Sequence, residues 1–260
     1  DLTLAISTPH PDYQKLGVKV DGDYQQLNAN LLQIENEYYS FIRPKRVTLS
    51  GERPTKALRR GGVQYVEMRS LDVSPFDPVG VNQNKLRFLE AFAAFCVLRA
   101  GEAIGPSEQS ELDGNHGRVA REGRRSGLLL RREGRDASLR DWALEIVDSM
   151  RGVCELLDDG DAQRPYTTAL DVQAAKVHDV SLTPSARTLL EMRTNEESFF
   201  RFALRMSALH KSYFLELHSP NESRQDEFAG EADASLHEQA RIESADRISF
   251  DEYLARYFAG

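Results

Sequence analysis

Cysteine and tryptophan are nearly absent from this chain of 260 residues, which holds two of the first and one of the second. Two thiols, Cys96 and Cys154, exclude a disulfide framework and a pair of zinc knuckles, and a reduced, cytoplasmic setting is expected. Positive charge is also in short supply: 33 Lys and Arg stand against 41 Asp and Glu, a net charge of -8. That balance argues against nucleic acid or an anionic membrane as the general partner, because both select for an excess of Lys and Arg. No apolar run approaches the roughly eighteen residues of a membrane span, and the opening DLTLAISTPHPDYQ lacks the basic and apolar regions of a signal peptide. A first residue Asp1 in place of Met is what a piece of a longer chain would show.

Several motifs are missing as well. The six histidines, at 10, 116, 178, 210, 218 and 237, form no HxxxH or HxxE pair, which argues against a zinc hydrolase. GxSxG, GxxxxGK[ST] and a GxGxxG after a strand do not occur. Any use of ATP therefore requires another architecture.

What is present changes texture along the chain. Pro9 and Pro11 are expected to break any helix begun at Leu2 to Ile6. Val18 to Val20 and Tyr24 to Leu27 read as short strands joined at Asp21-Gly22-Asp23, since Asp-Gly supplies the positive φ angles of tight hairpins. Leu31 to Ile42 alternates as a strand, with Glu35, Glu37 and Tyr39 on one face. Val63 to Leu71 alternates as a second, with Glu67 and Arg69 pointing the same way, and Pro54 to Arg60 between them reads as a short helix released by Gly61-Gly62. Leu86, Leu89, Phe92, Ala93, Cys96 and Val97 keep the spacing of a core helix, with Cys96 packed inside.

The remainder reads as a helical layer. It contains a glycine-spaced basic stretch in Val119 to Arg132, an amphipathic helix Leu139 to Leu157, a helix started at Thr183-Pro184-Ser185-Ala186, and another from Glu197 to Leu217. Asn221 to Arg256 carries ten acidic residues against four basic ones and is expected to be charged surface, closed by a small helix Phe250 to Phe258. Strands early and helices late predict an α+β fold, a mostly antiparallel sheet covered by helices. Residues 1–80 would be the strand-rich part of the catalytic sheet and 81–260 a helical part of the same domain.

Two features carry possible chemistry. Residues two apart on a strand rise about 6.6 to 6.8 Å, so Glu35 and Glu37 would address two separate cations or ammonium groups more easily than one Mg²⁺. The same pattern suits a solvated face whose charges pair across strands. Counting Arg69, the connector after Ile42 holds basic residues at 43, 45, 46, 53, 56, 59, 60 and 69 against acids at 52 and 67. Such a stretch could line a phosphate site or form a surface loop. The run REGRRSG reads first as helix surface.

The strings LNANLLQIENEYYSFIRPKR and ALRRGGVQYVEMRSLDVSPFDPVG resemble the paired strand motifs of the proteobacterial glutamate–cysteine ligases. FLEAFAAFCVL and VAREGRRSGL are similar to that family's next two segments, and the likeness falls in the family's C-terminal half. It implies a glutamine-synthetase-like antiparallel sheet, curved into a funnel with metal and ATP at one end. It also implies ATP-dependent joining of the L-glutamate γ-carboxyl to the L-cysteine amine through a γ-glutamyl phosphate, the first step of glutathione biosynthesis, with Mg²⁺ or Mn²⁺. By match to VEMRSLD, Glu67 would be a metal ligand and Arg69 the catalytic group facing the phosphates, while Tyr39 in ENEYY would line the cysteine pocket. Glu37 and Arg43 would bind substrate, and Glu35 would be a further metal ligand. Position 38 is tyrosine where the family has an apolar residue. The missing N-terminal half of such an enzyme would be the partner, and the chain without it is expected to be poorly active. Two other readings stay open: a non-catalytic module holding an anion on the basic connector, and a ligase for another amino acid.

Overall fold

The computed structural model describes residues 2–49, 51–217 and 222–259. In chain order it forms α1 (Leu2–Ala5), α2 (Pro11–Leu16), β1 (Lys19–Val20), β2 (Asp23–Tyr24), a 3-10 turn at Glu35–Glu37, β3 (Ile42–Lys45), α3 (Pro54–Gly61) and β4 (Tyr65–Met68). Next come α4 (Gln83–Leu98), α5 (Pro106–Glu122), β5 (Leu129–Arg132), β6 (Arg135–Ser138), α6 (Leu139–Leu157) and α7 (Pro165–His178). A 3-10 turn at Val180–Leu182 leads to α8 (Pro184–Thr194), α9 (Phe199–Leu217), α10 (Glu222–Ser244) and α11 (Phe250–Ala259). The chain divides into two compact units, residues 1–72 with 219–260 and residues 73–218.

In the first unit, β1 and β2 meet at Asp21 and Gly22, whose φ angles of 52° and 94° are both positive, the pairing that matches strand twist in a two-residue hairpin. β3 and β4 pair antiparallel, placing Arg43 opposite Glu67 and Lys45 opposite Tyr65 on one face. Ile42 opposite Met68 and Pro44 opposite Val66 form the other. α3 begins at Pro54, which sets φ for a first helical turn, and ends at Gly62 with φ 71°. Its flanking residue Arg53 offers no side-chain cap.

The second unit is built around α4, α6 and α7. Ala91, Val147, Met150, Cys154 and Leu170 form its buried core, with Phe88, Phe92 and Phe95 packed against them. Asp158, at the end of α6, accepts hydrogen bonds from Tyr166 N (2.8 Å), Thr167 N (2.8 Å) and Thr167 Oγ1 (2.6 Å), so a remote carboxylate satisfies the free amides that open α7. In the loop before α4, Asp77 meets Lys85 Nζ at 2.7 Å and Asn82 Nδ2 at 3.1 Å. Burial disfavours its charge, but bonds from Lys85, Ser74 and Asn82 outweigh this and hold the carboxyl at about 2. A depressed carboxylate stabilises the fold above its ordinary value of 3.8, and that stabilisation disappears as pH falls toward about 2. Asp77→Asn is therefore expected to cost about 2 kcal/mol at neutral pH. The gap between the two thermal midpoints should close between pH 3.8 and about 2.

The mixture of helices and strands is as expected, but among the described residues the strands form three separate two-stranded ladders, β1–β2, β3–β4 and β5–β6. Leu31 to Ile42 is not a strand: the chain turns at Glu35–Glu37 because Glu35 is drawn inward, and β3 starts only at Ile42. The strand expected over Val63 to Leu71 is reduced to Tyr65–Met68. β5 and β6 stand where only helices were expected, joined at Glu133 and Gly134 with φ 53° and 77°. The helix begun at Leu2 ends at Ala5, ahead of both prolines as expected, and Pro11 opens α2.

Cys96 is exposed, because the stripe of α4 that faces the core runs through Phe88, Ala91, Phe92 and Phe95 and leaves Cys96 beside it. The expected helix at Leu139–Leu157 and the Thr183 cap of α8 are present, with Thr183 Oγ1 accepting from Ala186 N. The acidic segment forms α10 followed by α11, and Asn221, where it was set to begin, lies outside the described residues. Among the described residues no helix is long and apolar enough to cross a membrane.

Candidate active site

The charged face of the β3–β4 ladder gathers Arg43, Lys45, Tyr65 and Glu67, and Arg69 continues it one step beyond β4, its N–H bonding Phe41 O at 2.8 Å. Glu67 Oε2 lies 3.0 Å from Arg69 Nε and 3.7 Å from Lys45 Nζ. Arg69 beside it, with Lys45 and Arg43, holds the carboxyl below the usual carboxylate range against the opposing effect of burial. Yet no donor is directed at Oε2, which is shut off from solvent without a hydrogen bond. Buried polar atoms are rarely left so, and here the ion pairs with Arg69 and Lys45 offset its charge without an aligned donor.

Arg43 is 6% exposed and its guanidinium reaches Glu35 O at 3.4 Å. The Arg69 guanidinium lies 4.8 Å over the Tyr39 ring, a residue 76% exposed. Four of the residues singled out from the sequence, Tyr39, Arg43, Glu67 and Arg69, therefore meet on or beside this face. Glu37 does not join them: it is exposed, and its Oε2 accepts from Gln33 N at 2.7 Å.

Glu35 has a different task. It is 1% exposed, and its two carboxylate oxygens accept from Thr55 N at 2.7 Å and Thr55 Oγ1 at 2.6 Å. It supplies α3 with the cap that Arg53 does not. Glu35→Ala is expected to lower stability by about 1–3 kcal/mol in urea unfolding, because Thr55 keeps a buried donor without a partner. Loss of activity without loss of stability would assign Glu35 to a ligand instead.

Beside the ladder the first unit has an open cavity of about 940 Å³. Arg43, Lys45 and Tyr65 open into it, with Tyr38 from the 3-10 turn, Thr55 and Leu58 from α3, and Phe250, Tyr253, Leu254 and Tyr257 from α11. Tyr38 thus lines the cavity, while Tyr39 packs on Arg69. Tyr65 was not singled out from the sequence, and Lys45 only as one basic position of the connector, although both follow from continuing the alternation through Arg43 and Glu67. The aromatic pair Tyr253 and Tyr257 has helical i, i+4 spacing but no signal that it belonged to a site.

The family model described as "Glutamate-cysteine ligase" matches residues 1–119. The chain is 46% identical over 258 residues to a glutamate–cysteine ligase of Pseudomonas putida, covering 99% of this chain and 49% of that protein. Over nearly its whole length the chain is similar in sequence to proteobacterial glutamate–cysteine ligases. A glutamate–cysteine ligase of Alcanivorax borkumensis is 45% identical over 262 residues, with 50% of its length covered. Among solved structures, the Francisella tularensis glutamate–cysteine ligase in complex with AMP is similar over 99% of this chain and 51% of its own, with a TM-score of 0.89 and 33% identity. The chain therefore spans about half the length of the relatives it matches.

Proposed function

We propose that this chain supplies the phosphate-facing part of an ATP-dependent ligase that joins the γ-carboxyl of L-glutamate to the amine of L-cysteine. The observation that carries the reading is Glu67 Oε2, buried without a hydrogen bond between Arg69 and Lys45 on the face expected to meet the phosphates. Relatives named for this reaction, one of them in complex with AMP, support it. In this reading β3 and β4 belong to a glutamine-synthetase-like sheet completed by the other half of the enzyme. The half-exposed Ile42 and Val66 on the ladder's apolar face suit such completion.

A carboxylate resists attack by an amine until one oxygen becomes a leaving group. Transfer of the ATP γ-phosphoryl group to the glutamate γ-carboxylate forms γ-glutamyl phosphate and ADP. The cysteine nitrogen then bonds to the acyl carbon, the carbon–oxygen bond to phosphate breaks, and the amine proton leaves with phosphate or water. Arg69 and Lys45 would counter charge on the transferred group, and buried Arg43 would add fixed positive potential. Tyr39 would face the cysteine side.

Glu67 fits one place in a divalent-cation ligand set, since its orphaned oxygen is ionised and buried. Among the described residues no group of three acidic, His or Cys side chains could hold a metal, so further ligands would come from the other half. When bound, Mg²⁺ or Mn²⁺ supplies charge neutralisation at the phosphoryl oxygens. Dependence on ATP and reduced cysteine suits the cytoplasm.

The test joins this chain to the complementary half of the Pseudomonas putida relative and measures γ-glutamylcysteine. Product that needs both amino acids and ATP, with γ-glutamyl hydroxamate formed when hydroxylamine replaces cysteine, is the expected result. Product with another amino acid in preference to cysteine would reassign the substrate, and no acyl transfer at all would leave an anion-binding module.

A further inference from the structure

We propose that Tyr39 is a positioning residue for Arg69, its ring setting the plane in which the guanidinium meets the transferred phosphoryl group. The proposal rests on the ligase reading above and gives Tyr39 a part in the half of the reaction that does not use cysteine. The local backbone prepares the contact. Glu35 is drawn inward and turns the chain, and Tyr38, which ends the turn, is already extended with φ -72° and ψ 113°. Successive side chains of extended backbone point to opposite sides, so Tyr38 lines the cavity and Tyr39 meets Arg69.

Two neighbours then hold the Arg69 side chain. Its Nε edge lies 3.0 Å from Glu67 Oε2, and its guanidinium carbon lies 4.8 Å from the centroid of the Tyr39 ring beneath it. The carboxylate fixes the direction of one edge. The ring fixes the plane, because a guanidinium over an aromatic face stacks on it. An arginine donates within that plane, so its tilt decides whether it meets two oxygens of a phosphoryl group or one. Packing of the fold does not account for the ring: Tyr39 is 76% exposed, more than any other tyrosine of the chain. An aromatic side chain that buries so little of itself has its main contact with the charged face.

The experiment uses the joined enzyme with hydroxylamine in place of cysteine and measures γ-glutamyl hydroxamate. Tyr39→Leu is expected to lower kcat about tenfold, the scale of one cation–π contact shielded from water, and to leave KM for glutamate and ATP unchanged. Tyr39→Phe, which restores the ring, is expected to recover most of that loss. Arg69→Lys keeps the charge and removes the plane, so adding Tyr39→Leu to it should slow the residual reaction little further. Circular dichroism checks that the variants are folded. Full hydroxamate kcat in Tyr39→Leu, with only the KM for cysteine raised in the complete reaction, would overturn the proposal and leave Tyr39 as a cysteine contact. The same loss from Tyr39→Leu with and without Arg69→Lys would also overturn it, and in both cases the ligase reading stands. No hydroxamate from the unsubstituted joined enzyme would instead overturn the ligase reading and the proposal with it.

Discussion

Glu67→Gln is expected to slow ADP formation by the joined enzyme at least about a hundredfold, a loss of roughly 2.7 kcal/mol of transition-state stabilisation. The substitution keeps the shape of the side chain and removes the charge that balances Arg69 and Lys45 at 3.0 and 3.7 Å. The ion pair with Arg69 is lost as well, so the thermal midpoint is recorded alongside the rate to separate a fall in stability from a loss of catalysis. Glu67→Asp keeps the charge but withdraws it by one methylene, so the Mg²⁺ concentration needed for half-maximal rate should rise. Initial rates measured across a range of Mg²⁺ concentrations check both. A rate within a factor of three of wild type for Glu67→Gln would remove Glu67 from the metal and phosphate chemistry.

Leu170→Ala should have the largest effect on folding, with a cost of about 2–5 kcal/mol. Leu170 is fully buried on α7 among Ala91, Met150 and Cys154, and the well-packed helices around it leave little room for collapse into the space vacated. Trp142, the chain's one tryptophan, sits on α6 of the same unit, so its fluorescence reports unfolding there. Urea titrations of wild type and Leu170→Ala followed at that indole give the difference directly. A change below about 1 kcal/mol would mean that the α4–α6–α7 core is looser than its burial indicates.

The helices of the second unit were legible because periodicity and caps agree there. Leu139–Leu157 shows a sustained amphipathic stripe, and Thr183-Pro184 is a cap followed by the residue best suited to the first helical position. Of the ladder β3–β4 only β4 was legible, where alternation set the side of Glu67; β3 fell in the stretch after Ile42 that read as a basic connector. Glu35 misled the reading upstream. Its alternation with Glu37 looks like a strand, but burial against Thr55 turns the chain, a tertiary contact that no local pattern encodes.

The hairpin β5–β6 was hidden by the basic run REGRRSG just before it, which read as helix surface, although Glu133-Gly134 carries a turn signal. Cys96 shows a related limit. Helical spacing identifies a broad apolar stripe but not which part of it meets the core, and here the phenylalanines take that place. The wall formed by α11 joins residues separated by about two hundred positions, such as Arg53 and Tyr257, so only the folded chain brings the cavity together.

The most direct measurement of the central claim is ADP release by this chain joined to its complementary half, with glutamate present and cysteine added or withheld. Release that requires glutamate, rises sharply with cysteine and matches γ-glutamylcysteine mole for mole is the expected result. Release that is indifferent to both amino acids, or that occurs without peptide product, would contradict the assignment of this chain to glutamate–cysteine ligation.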